Sequence, residues 1–268
     1  MKFIPSWTAT PTSPSALAKG AALARGRRLA RGRDESGMCY YYEISILNIK
    51  AFVGLLFLLL AMAALLFIPA WTLDYWQAWT FLAVYFGCSL AITLYLMVRD
   101  PKLLQRRMSG GPTAEKEPTQ KIIMFFTSLG FIGLLIFPAL DHRFVWSRVP
   151  SHVALAGDVL VALGFLAIFF VLKENTFSSA TIELAPNQKV ISTGPYAIVR
   201  HPMYAGALVM LLGIPIALGS WWGLLVLVSM MPALVWRLFD EERFLARNLP
   251  GYAEYQHKVR FRLLPLVW

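Results

Sequence analysis

Charged residues are scarce in this chain. Only 15% of its 268 residues are Asp, Glu, Lys or Arg, and 57% are hydrophobic. Soluble domains usually carry about a quarter of their residues charged. The deficit indicates that much of the surface faces lipid rather than water.

The chain also lacks the short motifs of familiar soluble enzymes. It contains no GxGxxG, no GxxxxGK[ST], no GxSxG and no HExxH. Two cysteines, Cys39 and Cys88, are too few for a disulfide framework, and the four histidines show no metal-ligand spacing. We therefore expect no metal, and any cofactor has to be held by the membrane-embedded fold itself.

Long apolar runs are what the chain has instead. Four runs reach the roughly 20 residues that a membrane-spanning helix needs: 46–68, 76–98, 122–140 and 153–172. A fifth region, 207–236, is interrupted at Pro215 and Gly219, which predicts a tight hairpin of two helices. The predicted fold is an all-α integral membrane protein with four transmembrane helices and a C-terminal helical hairpin, five to six membrane helices in total.

The basic residues predict the orientation. Only Arg143 and Arg148 lie between the third and fourth runs, and the loop 69–75 has no Lys or Arg. The loop after the second run carries six: Arg99, Lys102, Arg106, Arg107, Lys116 and Lys121. The positive-inside rule places both termini and everything after the fourth run in the cytoplasm, and we expect the inner (plasma) membrane. The excess of positive charge indicates contact with anionic lipid headgroups, not with nucleic acid.

Composition divides the chain into three parts. Residues 1–37 are basic and rich in Ala, Ser, Thr and Pro, and they are predicted to be a disordered arm, although Met38 would also begin a sensible membrane protein. Residues 38–172 form the predicted four-helix transmembrane region. Residues 173–268 carry the hairpin and the polar segments.

The stretch ISTGPYAIVRHPMYAG, residues 191–206, places polar and helix-breaking residues between apolar runs. Because Pro202 follows His201, a helix is predicted to begin at Pro202. Its positive end would then lie beside Arg200 and His201, a corner that suits a carboxylate or a phosphate. The alternative is that Arg200 only reaches the lipid headgroups while His201 caps the helix.

An acidic run, 240–242, follows the hairpin. Adjacent helical residues point about 100° apart, so all three acids cannot face one ligand. One could bind ribose hydroxyls or an ammonium group while another pairs with Arg237, or the run is only a solvated helix end. Tyr252 and Tyr255 form a short helical stripe that we expect to pack, with one tyrosine a candidate for lining a cofactor.

In combination, these segments resemble the C-terminal signature of the isoprenylcysteine carboxyl methyltransferases. The resemblance covers 173–265 and includes ENTFSSA, NQKVISTG, the 191–206 stretch, the acidic pair and GYAEYQHKVRFRLLP. The related phosphatidylethanolamine N-methyltransferases share the Pro-Met-Tyr-x-Gly element and the Glu-Glu pair. Those phospholipid enzymes have Gly-x-Gly in the preceding span, whereas this chain has only the isolated Gly157 and Gly164 there, which favours the carboxyl methyltransferase branch.

The resemblance implies a membrane methyltransferase that uses S-adenosylmethionine in a non-Rossmann site at the cytoplasmic interface. The acceptor would be hydrophobic or amphiphilic and would carry a carboxyl, thiol or amine group. By position, the resemblance assigns cofactor binding to Gly194, Tyr196, His201, Pro202, Tyr204, Glu241 and Glu242. It assigns substrate contacts to Asn175 and Arg262.

The catalytic candidates depend on the nucleophile. A carboxylate or thiolate needs only placement, which Arg200 or Arg262 could provide. An amine must first lose a proton, which would give Glu241 or Glu242 a general-base role. The predicted catalytic residues are Arg200, Glu242 and Arg262.

Sterol reductases carry a similar Arg-His-Pro element, so an NADPH-dependent membrane reductase is the alternative function. A dinucleotide would need more basic residues than Lys189, Arg200 and Arg262 provide. A scaffold without enzymatic activity would leave the clustered polar residues unexplained.

Overall fold

The computed structural model describes residues 44–108, 110, 115, 117–182, 184, 188–265 and 268. The predicted arm 1–37 lies outside them. Two compact units are Met1–Ile49 and Lys50–Trp268, and of the first the structure describes only the start of one helix. Apart from that helix start, all that follows concerns the second unit.

The described residues form helices joined by turns and loops, without a β-strand. In chain order the helices are α1 (Ile44–Ala70), α2 (Trp76–Arg99), α3 (Pro101–Met108), α4 (Pro118–Phe144), α5 (Ser151–Glu174), a 3₁₀ turn (Gly194–Ala197), α6 (Pro202–Ala217), α7 (Gly223–Asn248) and α8 (Tyr252–Lys258). Helices α1, α2, α4, α5 and α7 are long and apolar enough to cross a membrane. The predicted all-α integral membrane fold is confirmed.

The apolar core lies between the long helices and the hairpin. Met62, Phe81, Leu134, Val161 and Ile214, from α1, α2, α4, α5 and α6, are almost completely buried in one cluster. Many other large apolar side chains point outward, as expected for a surface in contact with lipid hydrocarbon.

Helices α5 and α6 are in backbone contact because glycines face one another along both. Gly157 and Gly164 lie seven residues apart on α5, and Gly206 and Gly213 lie seven apart on α6. A Cβ atom at Gly157 would lie 2.2 Å from the backbone nitrogen of Ala217. Small residues that let two helices approach this closely are typical of membrane helix pairs. The contact fixes the position of α6, and therefore of its first residues.

The predicted hairpin consists of α6 and α7. As predicted, α6 begins at Pro202; its 16 residues span about 24 Å. Pro215 was expected to break the helix but lies in the last turn of α6, and the break comes at Gly219, where φ is +74°. Helix α7 continues without interruption to Asn248 and carries the acidic run with it.

Each end of the bundle has its own polar contacts. At one end the Tyr75 hydroxyl donates to the Leu218 carbonyl oxygen at 2.7 Å. There Asp141 also accepts hydrogen bonds from Ser147 and from the Ser220 hydroxyl. These bonds join α2 and α4 to the hairpin turn. The opposite end gathers α3, α8, the start of α6 and the last turns of α5 and α7, which brings the predicted polar segments together.

Candidate functional site

A cavity of about 320 Å³ opens among these helix ends. It is lined by residues of α3, α4, α6, α7 and α8 and of the loop that connects α5 to α6. Among the predicted site residues, seven line it: Asn175, Tyr196, Arg200, His201, Pro202, Tyr204 and Glu241. The other three, Gly194, Glu242 and Arg262, lie near this wall without being part of it. Among the described residues, no three His, Cys, Asp or Glu side chains are grouped to hold a metal ion.

Glu242 lies behind the cavity wall and is surrounded by basic groups. Its Oε1 atom is 3.1 Å from Nε of Arg200, an ion pair without hydrogen-bond alignment, and 3.2 Å from Nε2 of His201. Its Oε2 atom accepts a hydrogen bond from Nε of Arg262 at 3.1 Å. A carboxylate can only accept, so His201 donates to it from Nε2. Glu242 therefore connects three basic side chains and has no free oxygen directed at the cavity.

The C-terminal segment is tied to the start of α6 through the backbone. The Arg200 amide donates to the Phe261 carbonyl and the His201 amide to the Arg262 carbonyl, each at 2.9 Å. With the side-chain bond from Arg262 to Glu242, these contacts hold the corner before α6 from two sides. The N-terminus of α6, Arg200 and His201 are thus held in fixed positions.

These contacts argue against a lipid-headgroup role for Arg200 and a helix-capping role for His201. Arg200 is 8% exposed and His201 is 4% exposed, so Arg200 does not extend to the headgroup layer. The His201 side chain makes no capping bond to α6, because its ring bonds Glu242. Both residues belong to one buried ion-pair cluster whose cavity-facing side borders the N-terminus of α6.

Glu241, next in sequence, faces the cavity instead. Its Oε2 atom accepts a hydrogen bond from the Tyr204 hydroxyl at 2.6 Å. The Tyr204 and His201 rings meet edge to face, with centroids 5.7 Å apart. Because adjacent helical side chains diverge by about 100°, Glu242 points into the ion-pair cluster while Glu241 points into the cavity.

Tyr196 joins the loop side of the site to α8. Asn175 Nδ2 donates to the Tyr196 hydroxyl at 2.9 Å, and the Tyr255 hydroxyl donates to the Tyr196 carbonyl at 2.7 Å. Burial raises the pKa of Tyr196 to about 12 and raises that of Tyr255, so both hydroxyls stay protonated and can donate. Gly194 opens the 3₁₀ turn with φ +54°, where a Cβ atom would lie 3.0 Å from the Glu174 side chain. Glycine at 194 lets the chain turn closely toward Tyr196.

Arg237 is a lining residue for which the sequence predicted a different partner. The predicted partner was a neighbouring acid of α7, but the ion pair forms with Oε1 of Glu115 at 2.8 Å. Arg237 also donates to Gln120 Oε1 at 2.9 Å and to the Ala180 carbonyl at 3.3 Å, while Asp240 accepts from Gln120. A basic residue at the end of an apolar run was the available signal for Arg237, but nothing local identified Glu115.

The cavity lining also contains a second tyrosine of α8 and an arginine of α3 that were not predicted to line it. Tyr252 and Tyr255 pack with Leu249 and Val259, as predicted, yet both tyrosines also line the cavity. Arg107 of α3 lines it as well and was not predicted as a site residue. It lies 72 residues from the loop position that it contacts, so no local motif could have indicated it.

Part of this region is similar to a family of known proteins. Residues 153–250 match the phospholipid methyltransferase family. That family belongs to the same group of membrane methyltransferases as the isoprenylcysteine enzymes, so the predicted resemblance is confirmed. The match contains nearly all of α5 and the whole of α6 and α7, and with them the corner before α6 and both glutamates.

One curated relative also matches. The cobalt-zinc-cadmium resistance protein CzcN of Cupriavidus metallidurans is 30% identical over 107 residues, which cover 38% of this chain and 47% of that protein. The match spans about half the length of this curated relative. Arg107 and the C-terminal segment that carries Arg262 lie outside residues 153–250.

Proposed function

We propose that the protein is a membrane methyltransferase that binds S-adenosylmethionine in this cavity and methylates a hydrophobic or amphiphilic acceptor. The observation that supports it best is the junction of the corner before α6 with the acidic pair of α7. His201 and Glu241 line one cavity, and Glu242 joins Arg200, His201 and Arg262 at 3.1–3.2 Å behind it. All but Arg262 fall in the region that matches a methyltransferase family.

The lining fits the chemistry of S-adenosylmethionine. This molecule supplies a methyl group on a positively charged sulfur, and it also carries an ammonium, a carboxylate, ribose hydroxyls and an apolar purine. The Glu241 carboxylate suits the ammonium or the ribose hydroxyls. The Tyr204 ring suits a cation, and Leu234 and Leu245 supply apolar surface. The cavity thus offers partners for the cationic groups, the ribose and the purine of the molecule.

In this proposal the two glutamates have different roles. Glu242 is a positioning residue, because its oxygens are engaged by the cluster that fixes Arg200 and His201. Glu241 is the carboxylate available to a ligand, and it takes the general-base role if the acceptor is an amine. Arg200, which lines the cavity, places a carboxylate or thiolate nucleophile, whereas Arg262 acts through Glu242.

The acceptor reaches the site from the bilayer. Met124 and Thr127 of α4, Ala207 of α6 and Leu234 of α7 line the cavity, and all four belong to apolar helices. The cofactor enters from the aqueous side, which the basic loops predict to be the cytoplasmic face of the inner (plasma) membrane. The isolated Gly157 and Gly164 favour the carboxyl methyltransferase branch for the acceptor group.

Calorimetry on the detergent-purified protein tests the proposal. We expect saturable binding of S-adenosylmethionine and S-adenosylhomocysteine and no binding of NADPH. Saturable binding of NADPH alone would replace the methyltransferase with the reductase alternative.

A further inference from the structure

Arg107 lines the cavity but lies outside the part of the chain that matches the family. It sits near the end of α3, before residues 153–250. Its NH1 group donates to the Ser179 carbonyl oxygen at 2.9 Å, and its side chain lines the cavity. The neighbouring Arg106 bonds the same loop at the Thr176 carbonyl but does not line the cavity.

Among the described residues, Arg107 lacks the acidic partner that each of the other lining arginines has. Arg200 forms an ion pair with Glu242, and Arg237 forms one with Glu115. Within the described part of the chain, no acidic side chain pairs with Arg107 within 4.0 Å. A guanidinium has five N–H donors, and the described hydrogen bonds of Arg107 use one carbonyl acceptor.

The surroundings make this unbalanced charge costly. Burial lowers the pKa of Arg107, and Arg237 nearby lowers it further. An arginine nevertheless stays charged in a protein, so a half-buried guanidinium in this position favours an anion beside it. Lys189 also lines the cavity and adds positive charge.

The cavity also holds the complementary charge. Glu241 bonds Tyr204, and no basic side chain of the described residues pairs with it within 4.0 Å. Among the described residues, the cavity therefore contains a carboxylate without a paired cation and a guanidinium without a paired carboxylate. An anionic group on a ligand would satisfy the guanidinium, and a ligand that also carries a cationic group would satisfy the carboxylate as well.

We propose that Arg107 binds the anionic group, a carboxylate or a phosphate, of a ligand in this cavity. The inference rests on the proposed function and deepens it, because the anion belongs either to the cofactor or to the acceptor. Arginine holds either group through paired charge-assisted hydrogen bonds.

The first experiment separates the cofactor from the acceptor. Calorimetry compares Arg107→Ala with the wild type, using S-adenosylhomocysteine and 5′-methylthioadenosine, which keeps the nucleoside but lacks the amino-acid part. If the anion is the cofactor's carboxylate, the variant binds S-adenosylhomocysteine about tenfold more weakly or worse and binds methylthioadenosine as the wild type does. Arg106→Ala is the matched control and leaves both affinities unchanged.

The second experiment tests whether the acceptor is the source of the anionic group. Dodecyl phosphate and dodecanol are titrated into the same proteins. Selective loss of dodecyl phosphate binding in Arg107→Ala, with S-adenosylhomocysteine unaffected, assigns the anion to the acceptor.

Two results would overturn the role of Arg107. One is that Arg107→Ala binds all four compounds as tightly as the wild type does. The other is that it loses equal affinity for S-adenosylhomocysteine and methylthioadenosine, and for dodecyl phosphate and dodecanol, which would show that Arg107 only positions the loop. A wild-type protein that binds no S-adenosylhomocysteine overturns the proposed function instead, and the dodecyl phosphate titration then still tests Arg107.

Discussion

At the scale of single residues, Glu241 and Glu242 differ more than their adjacency suggests. Glu242 is 6% exposed and contacts three basic side chains, whereas Glu241 contacts a hydroxyl and faces the cavity. Removing one member of a buried ion-pair cluster leaves charges buried without a partner, and that is costly. Removing a carboxylate that faces a cavity leaves no such charge behind.

We therefore expect the isosteric Glu242→Gln substitution to act mainly on stability. It would leave Arg200 buried beside a neutral amide, and we expect a loss of about 3 kcal/mol in the free energy of unfolding. Glu241→Gln is the matched substitution, one residue away on the same helix. We expect it to change stability little and to weaken S-adenosylhomocysteine binding about tenfold.

Thermal unfolding in detergent and calorimetry on both variants measure the two effects. A similar unfolding temperature for the two variants would contradict the assignment of Glu242 as a positioning residue. So would a cofactor affinity that falls only in Glu242→Gln, with its stability unchanged.

At the scale of elements, the contact between α5 and α6 sets the position of the site. The corner before α6 can meet α7 and the C-terminal segment because α6 lies close against α5. That closeness requires glycine, since a Cβ atom at Gly157 would lie 2.2 Å from a backbone nitrogen, which cannot rotate away as a side chain can.

Gly157→Ala is expected to separate the two helices. The added methyl group meets the backbone of Ala217, and we expect a loss of about 2 kcal/mol in stability together with weaker cofactor binding. Gly87→Ala on α2 is the control, because a Cβ atom there has no neighbour within 4 Å. That control should be neutral or slightly stabilising, since alanine favours a helix over glycine. Equal unfolding temperatures for the two variants would refute the role of the close contact.

The elements were more predictable from the sequence than their partners. Apolar length predicts the spans, and a proline after His201 predicts where α6 begins, because both signals are local. The ion pair of Arg237 joins residues 122 positions apart, and the bond of Arg107 joins residues 72 apart. No periodicity or spacing encodes such contacts, since they exist only after the helices have packed. For the same reason, the sequence alone does not show that Glu242 joins the ion-pair cluster while Glu241 faces the cavity.

At the scale of the whole unit Lys50–Trp268, the polar contacts are divided between the two ends of the bundle. Asp141, Ser147 and Ser220 form hydrogen bonds at one end, and the cavity with its ion pairs lies at the other. The first network joins neighbouring elements, whereas the second surrounds a cavity. The proposed chemistry therefore depends on which end faces the cytoplasm, where S-adenosylmethionine is available.

The basic residues predict that the cavity end is cytoplasmic, and cysteine labelling tests it. In a variant with Cys39 and Cys88 replaced by serine, single cysteines at Arg148 and Glu254 would mark the two ends, because both positions are exposed. A membrane-impermeant maleimide should label Arg148→Cys in intact cells and Glu254→Cys only after permeabilisation. Both should react in detergent, which controls for reactivity. Labelling of Glu254→Cys in intact cells would place the cavity outside the cytoplasm and away from its cofactor, and the methyltransferase proposal could not stand.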